Sequence, residues 1–409
     1  MRRLIIADPG LSGPAGHHLS YSAAVAGAAA GRGLAAVVLA ARGFSGGIDG
    51  AQCRAVLGAA YQSAGGGGAA RRFAFGLAAR LPGPLAGMVA PPLRALRRAL
   101  RPVALDPLGA ELARELAALG AGEGDALLLH SVSGANLHGL TAAALPAVTL
   151  LVVLRRMPAE MAADDPAPEP LPALLRRLSR HFGPRLRLFA DTQALATQFS
   201  ALCGVEVRAV PLPLRVPPVL QRPSARPPHV VFAGGARAEK GFAELPAALA
   251  MAAGKARFTI HSGPVGRDSD PLVQRAQRAL RAMPRGGEGV ALVETALDAG
   301  AYDALMASAD LLLLPYDPVI YGARSSGILA ESLALGIPAV VPAGCWMEDA
   351  AGADRAVFIT PRKPPGPALL EALDALPSLT AACRAGAPDW RARHNPETLL
   401  TALLHPPAG

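Results

Sequence analysis

Aromatic side chains make up only 4% of the 409 residues, and the four cysteines, Cys53, Cys203, Cys345 and Cys383, lie far apart with no C-x-x-C pair. That spacing excludes a disulfide framework and the usual zinc ligand sets, and it fits incidental thiols in a reducing compartment. Long apolar runs are equally scarce. The first, Leu4 to Ala7, stops at Asp8 and is too short for a signal peptide. No run reaches the roughly 18 residues that a spanning helix needs. The expected location is therefore cytoplasmic, with room for peripheral contact at the inner membrane face.

Several motifs are missing as well. There is no G-x-x-x-x-G-K-[ST] phosphate loop and no G-x-G-x-x-G after the first strand, so kinase, ATPase and dehydrogenase readings drop. Gly43-Phe44-Ser45-Gly46-Gly47 fits the esterase pattern G-x-S-x-G, but no nucleophile-bearing helix follows it. No helix-turn-helix, zinc-finger or aromatic-basic signature supports nucleic-acid binding. Asp268-Ser269-Asp270 is the nearest aspartate-x-aspartate pair, and it lies away from the motifs described below. Neither a metal nor a resident cofactor is expected.

What is present begins with length. A chain of 409 residues exceeds one hydrophobic core, so two domains of roughly 150 to 220 residues are expected, with a cleft between them. The net charge of +9 comes from arginine rather than lysine. Arginine suits phosphate because its planar fork donates two parallel hydrogen bonds and stays protonated. Residues 50–105 contain no acidic side chain, while Arg71, Arg72, Arg80, Arg94, Arg97, Arg98 and Arg101 accumulate among apolar residues beside a tetraglycine at 65–68. Such an insert suits either an anionic membrane surface or a solvated, partly disordered segment, and composition leaves both open.

Residues 3–8 form a short apolar run of the buried-strand type. The glycine-spaced loop Gly10, Gly13, Gly16, an alanine-rich helix from about Ser20 and a second strand at 34–41 follow. This order opens a doubly wound parallel sheet, whose loops at the carboxyl ends of strands line the ligand crevice. Further strands are expected at 126–130, 148–154, 186–191 and 205–211, closing a first domain over residues 1–214 that carries the basic insert at about 50–105. Residues 215–228 hold five prolines in fourteen and read as a linker. The pattern then restarts over 229–409, with strands at 229–233, 257–262, 290–293, 311–315 and 338–342 and helices at 242–252, 270–282, 302–309 and 326–336. The expected fold is α/β, two Rossmann-like doubly wound domains. Helices from about residue 368 close the second domain, and the last of them is expected to cross back to the first.

Two segments carry the chemistry. In Ala233-Gly234-Gly235-Ala236-Arg237-Ala238-Glu239-Lys240-Gly241, glycines at a strand end let a phosphate approach the backbone, and two cations three residues apart straddle a diphosphate. Gly235, Arg237 and Lys240 are the candidate phosphate ligands. In Leu311-Leu312-Leu313-Leu314-Pro315-Tyr316, then Tyr321-Gly322-Ala323-Arg324-Ser325-Ser326-Gly327, a buried strand and a polar loop enter a helix. The unpaired amides of its first turn attract phosphate oxygens. Tyr321, Arg324, Ser325, Ser326 and Gly327 are candidate donor-binding residues, and Glu331 is placed to accept from both hydroxyls of a ribose.

Together these segments resemble the donor-binding half of family 4 glycosyltransferases, of the GT-B superfamily, whose two Rossmann-like domains face each other across a cleft. The resemblance covers residues 229–342 well and is topological over 1–213. It implies transfer of a sugar from a nucleoside-diphosphate sugar to a glycan or lipid-linked acceptor, without a metal, in polysaccharide or glycoconjugate synthesis. It assigns Glu331 to the ribose. The family's first glutamate, eight positions earlier, would fall at Ala323 and is absent. That departure keeps a catalytically silent nucleotide-sugar binder and a GT-B epimerase as alternatives. In the first domain His130 and His17 are the candidate catalytic residues, and Gly13, Gly16, His18 and Arg155 the candidates for acceptor or cleft contacts. Glu294 is read either as facing the donor or as an ordinary loop carboxylate. Donor base, sugar, acceptor, stereochemical outcome and oligomeric state are not legible.

Overall fold

The computed structural model describes residues 2–13, 16–58, 106–164, 169–216, 227–266, 269–285 and 289–405, the side chains of 163 and 164 excepted. Two parallel sheets organise them. The first contains β1 (Arg3–Asp8), β2 (Ala35–Ala41), β3 (Ala51–Leu57), β4 (Ala126–Leu129), β5 (Thr149–Leu154), β6 (Leu186–Ala190) and β7 (Val207–Ala209), in the order β3-β2-β1-β4-β5-β6-β7. The helices threaded among them are α1 (His17–Gly31), α2 (Leu108–Ala118), α3 (Gly134–Thr141), α4 (Pro158–Asp164), α5 (Leu171–Phe182) and α6 (Gln193–Cys203). Strands β1, β4 and β5 are apolar nearly throughout and buried along their length, as expected of strands covered on both faces.

The second sheet contains β8 (His229–Phe232), β9 (Arg257–His261), β10 (Val290–Val293), β11 (Leu311–Leu313), β12 (Ala339–Pro342) and β13 (Ala356–Ile359), in the order β10-β9-β8-β11-β12-β13. Its helices are α7 (Leu245–Met251), α8 (Pro271–Arg281), α9 (Ala299–Ser308), α10 (Gly327–Leu335), α11 (Trp346–Ala351), α12 (Pro365–Asp374), α13 (Leu376–Arg393) and α14 (Pro396–Leu404). One core of Val230, Val231, Phe232, Leu311, Leu312, Val340 and Leu329, all fully buried, fills the space between this sheet and its helices. Helix α13 holds α10 through Trp390 Nε1, which donates to the Ala330 carbonyl at 2.9 Å.

Both sheets have the reversal that defines a doubly wound fold. In the first, the chain leaves β1 toward β2 and β3, then returns to the other side of β1 with β4. In the second, it leaves β8 toward β9 and β10, then returns with β11. The crevice rule places ligands at the carboxyl ends of these strand pairs.

The chain divides into two compact units, Met1–Pro14 with Ala29–Ala190 and Ala196–Arg208, and Ala15–Ala28 with Asp191–Leu195 and Ala209–Gly409. The insert expected from residue 50 starts later, because Ala51–Leu57 pairs in parallel with β2 as an edge strand. Its mixed burial hides the alternation that periodicity relies on. The arginine-rich part of that stretch, and most of the expected linker, lie outside the described residues. Strand β7 stops at Ala209, short of Pro211 and Pro213, which have no amide proton for a ladder. The helix expected from Phe242 opens as a 3-10 turn over Phe242–Glu244, and α7 follows with a proline in its first turn. Strand β13 was not anticipated. Among the described residues, no helix is long and apolar enough to cross a membrane.

Candidate functional site

At the reversal point of the second sheet, the loop after β8 and the loop after β11 are built against each other. Gly241 sits at φ +65°, and a Cβ there would lie 1.8 Å from the Pro315 carbonyl oxygen, so no other residue fits. The Asp317 amide donates to the Glu239 carbonyl at 2.9 Å, pinning the two loops a second time. The glycine loop folds back on itself: Lys240 Nζ donates to the Gly234 carbonyl at 2.5 Å and stands 5.5 Å from the centre of the Tyr316 ring. Gly234 allows this, because a Cβ would come within 3.0 Å of both Lys240 Cδ and the Tyr316 hydroxyl. Gly235, at φ +70°, turns the chain.

Lys240 is half-buried, and among the described residues no carboxylate reaches ion-pair distance of it. Burial first, and then the nearby charge of Arg237, bring its pKa down from 10.5 to about 8, with Arg324 pushing the same way. Arg237 is exposed and only 3.8 Å from Glu239, a weak surface pair. The guanidinium of Arg324 lies 5.1 Å from the centre of the Tyr321 ring. Arg237 and Arg324 thus lie within electrostatic reach of Lys240, and the Glu239 carboxylate offsets part of their effect.

The loop after β11 ends at Ser326, which caps α10 by accepting from the Leu329 amide at 3.3 Å. Gly327 opens the helix and Glu331 lies about one turn further on. Tyr316 is buried, and its ring packs on Tyr321 at 4.7 Å. Among the described residues its hydroxyl has no partner that meets hydrogen-bond geometry, although Ser326 approaches it. Arg237 and Glu331 both lie within electrostatic reach of this phenol. Lys240, Arg237, Ser326 and Glu331 therefore gather around Tyr316. Glu331 is half-buried and accepts the Tyr302 hydroxyl at 2.6 Å through Oε2. Burial raises its pKa from 4.5 to about 7 despite that bond. Ala323 is 2% exposed, its methyl packed inside. Ser325 is half-buried in the same loop.

The first sheet's reversal point looks different. Asp8 ends β1 and His130 follows β4. Both are fully buried, with His130 Nε2 3.1 Å from Asp8 Oδ2 and His130 Nδ1 3.1 Å from the Ser131 hydroxyl. Asp8 Oδ1 accepts from the Gly10 amide at 3.0 Å, which turns the chain into the glycine-spaced loop. Gly13 is half-buried. Gly16, at φ +95°, leads into α1, where His17 and His18 stack at 4.1 Å between centroids. Gly16, His17 and His18 belong to a segment that groups with the second unit, whereas Gly13, His130 and Arg155 belong to the first. Arg155 is half-buried and Arg156 is buried. Glu294 is taken up by the protein itself, accepting from Gln277 at 2.7 Å and Arg281 at 2.5 Å. A cavity of about 270 Å³ in the first unit, lined by Pro158, Met161, Leu171 and Leu202, is apolar and holds none of these groups.

Sequence reading missed Tyr302 and Tyr316. Tyr316 had a signal, since it closely follows the strand that leads toward α10. Tyr302 had none, because its partner is 29 residues away and on another helix.

No protein-family model and no curated protein matches the chain. Solved structures do. Sucrose-phosphate synthase from Thermosynechococcus elongatus superposes with a TM-score of 0.62 at 13% identity, over 98% of this chain and 97% of that one. WaaG, a glycosyltransferase involved in lipopolysaccharide biosynthesis, gives 0.61 at 14% identity, over 98% and 100%. Anabaena HepE, in complex with UDP and glucose, gives 0.61 at 14% identity, over 98% of each chain. Likeness at this identity speaks for architecture: the chain has the GT-B fold of two Rossmann-like domains, as the resemblance implied.

Proposed function

We propose that the chain is a glycosyltransferase of the family 4 type, moving a sugar from a nucleoside-diphosphate sugar to a glycan or lipid-linked acceptor. One observation carries this reading. Among the described residues Lys240 is a half-buried cation and Glu331 a half-buried carboxylate, neither makes an ion pair, and both lie near the Tyr316 phenol. Isolated charges of both signs at one strand-pair end suit a ligand offering a diphosphate to one and vicinal hydroxyls to the other. A nucleoside diphosphate offers both, and HepE, which shares the fold, was solved with UDP and glucose.

The chemistry follows from that placement. As the glycosidic bond to the diphosphate breaks, negative charge grows on the leaving oxygens. Lys240, Arg237, Arg324 and the amides at Ser326 and Gly327 are aimed to stabilise it, without a metal ion. Gly235 lets the phosphates lie against the backbone, while Tyr321 and Ser325 line the donor loop. Catalysis then rests on positioning and leaving-group stabilisation. Gly13, Gly16, His17, His18 and Arg155 are proposed for the acceptor side. For His130 we favour a positioning part, since both its ring nitrogens are engaged. The arginine-rich sequence at 50–105 suits an anionic membrane presenting a lipid-linked acceptor.

Ala323 favours a second reading, a protein that binds the nucleotide sugar without turning it over. Release of nucleoside diphosphate from a panel of sugar donors, with a lysate-derived acceptor pool, decides between them. Release together with a glycosylated product is expected, whereas an isomerised sugar would indicate epimerisation. Donor binding without release establishes the silent binder, and no binding of any nucleoside diphosphate overturns both.

A further inference from the structure

Helix α9 opens behind an Asp298 cap, whose side chain accepts from the Ala301 amide at 2.8 Å, so the first turn is held firmly. Tyr302 stands on that turn, its own amide bonded to the Asp298 carbonyl at 2.9 Å. From there its hydroxyl reaches across to α10 and donates to Glu331 Oε2 at 2.6 Å. Among the described residues nothing else donates to Glu331, and Oε1 is not among the buried atoms lacking a partner, so it remains open. A carboxylate held at one oxygen and open at the other is restrained in its rotation and keeps an oxygen to accept with.

We infer that Tyr302 is a positioning residue for nucleoside recognition, holding the Glu331 carboxylate so that it meets both hydroxyls of a ribose and rejects a 2′-deoxyribose. The inference rests on the donor-site reading above and names a residue outside the motifs that suggested it. Oε2 keeps a lone pair for one ribose hydroxyl while Oε1 takes the other. Without the phenol the carboxylate loses that restraint, and two simultaneous hydroxyl bonds are less prearranged. The bond also favours the ionised carboxylate, opposing the burial and the nearby Asp303 that favour the neutral form. Among the described residues, the neighbouring charge that bears on Glu331 is that of Asp303 on α9. Tyr302 itself stays protonated, since burial and then the Glu331 charge raise its pKa far above the usual value.

The test is calorimetry on the full chain and its Tyr302→Phe and Glu331→Gln variants, with UDP, 2′-deoxy-UDP and inorganic pyrophosphate as probes, across pH. ADP and GDP replace UDP if the wild type prefers another base. Tyr302→Phe is expected to weaken nucleoside diphosphate about tenfold and pyrophosphate less than about twofold. It is also expected to erase the preference for ribose over 2′-deoxyribose and to move the acid midpoint of nucleotide binding above the wild-type value. A purely structural role would not shift that midpoint. If Tyr302→Phe keeps the wild-type preference and midpoint while Glu331→Gln loses nucleotide, the inference fails and the donor site stands. If Glu331→Gln weakens nucleotide and pyrophosphate equally, or no nucleoside diphosphate binds the wild type, the donor-site reading itself fails and takes the inference with it. Unchanged pyrophosphate affinity serves as the fold control. Should Tyr302→Phe not fold, Tyr302→Gln, which keeps a donor on a shorter arm, is expected to retain part of the ribose preference, and its complete loss of preference with an unmoved midpoint would count against the inference.

Discussion

The two sheet-reversal points share a topology and differ in how their charges are settled. At the first, a carboxylate and an imidazole are both fully buried and satisfied by one another, by Gly10 and by Ser131. At the second, an ammonium and a carboxylate are each half-buried, and among the described residues neither makes an ion pair. Folding alone accounts for the first arrangement, because a buried charge is tolerated when paired and hydrogen-bonded. It does not account for the second, where both groups raise the free energy of the empty fold. Charges that cost stability and remain unpaired point to a ligand that compensates them.

The largest effect should come from breaking the settled pair. Asp8→Ala leaves His130 buried without its carboxylate and the Gly10 amide without its acceptor, a loss of about 3 kcal/mol or more in unfolding free energy. Denaturant unfolding followed in the first unit measures it. A loss below about 0.5 kcal/mol, the range of ordinary surface changes, would mean the pair is not what holds β1 to β4.

That contrast also explains what was legible in advance. The reversal points could be read from strand order, because runs such as Leu311 to Leu314 are apolar on both faces and only parallel, covered strands look like that. The cations of the second site were legible since a glycine-spaced strand end beside Arg237 and Lys240 is a local pattern. Edge strands were not: Ala51–Leu57 buries one residue fully and alternates poorly. Nor was the Asp8–His130 pair, whose members are 122 positions apart. Tyr302 fails for the same reason. Pairing across a sheet or between helices is set by tertiary packing, which no window of sequence contains.

A smaller effect is expected at the unsettled site, and with a double readout. Lys240→Met should weaken nucleoside diphosphate binding about a hundredfold, the scale of one charge-assisted phosphate contact. The same change should leave the protein as stable as before or more stable by about 1 kcal/mol near neutral pH, because it removes a charge that burial disfavours. The sign follows from linkage. The folded pKa of Lys240 lies below its ordinary 10.5, at about 8, so the unfolded chain binds more protons between those values and wild-type stability rises with pH across that window. The variant lacks that rise. Thermal unfolding at several pH values reports it, and a clear loss of stability in Lys240→Met would show that the ammonium serves the fold.

The smallest effect separates the two halves of the ligand. Protonation of the phosphates and of Lys240 bears alike on a nucleoside diphosphate and on its 2′-deoxy counterpart, so the ratio of their affinities cancels both. What remains is the contact proposed for Glu331, which would accept ribose hydroxyls best when ionised and whose pKa burial raises to about 7. As pH falls through that value the carboxylate is neutralised and the ribose loses its acceptor, so the ratio should drop by about tenfold toward acid and level off toward alkali. Glu331→Gln should flatten it. A ratio that is constant across pH in the wild type would place the ribose elsewhere and leave the raised pKa of Glu331 a consequence of burial alone.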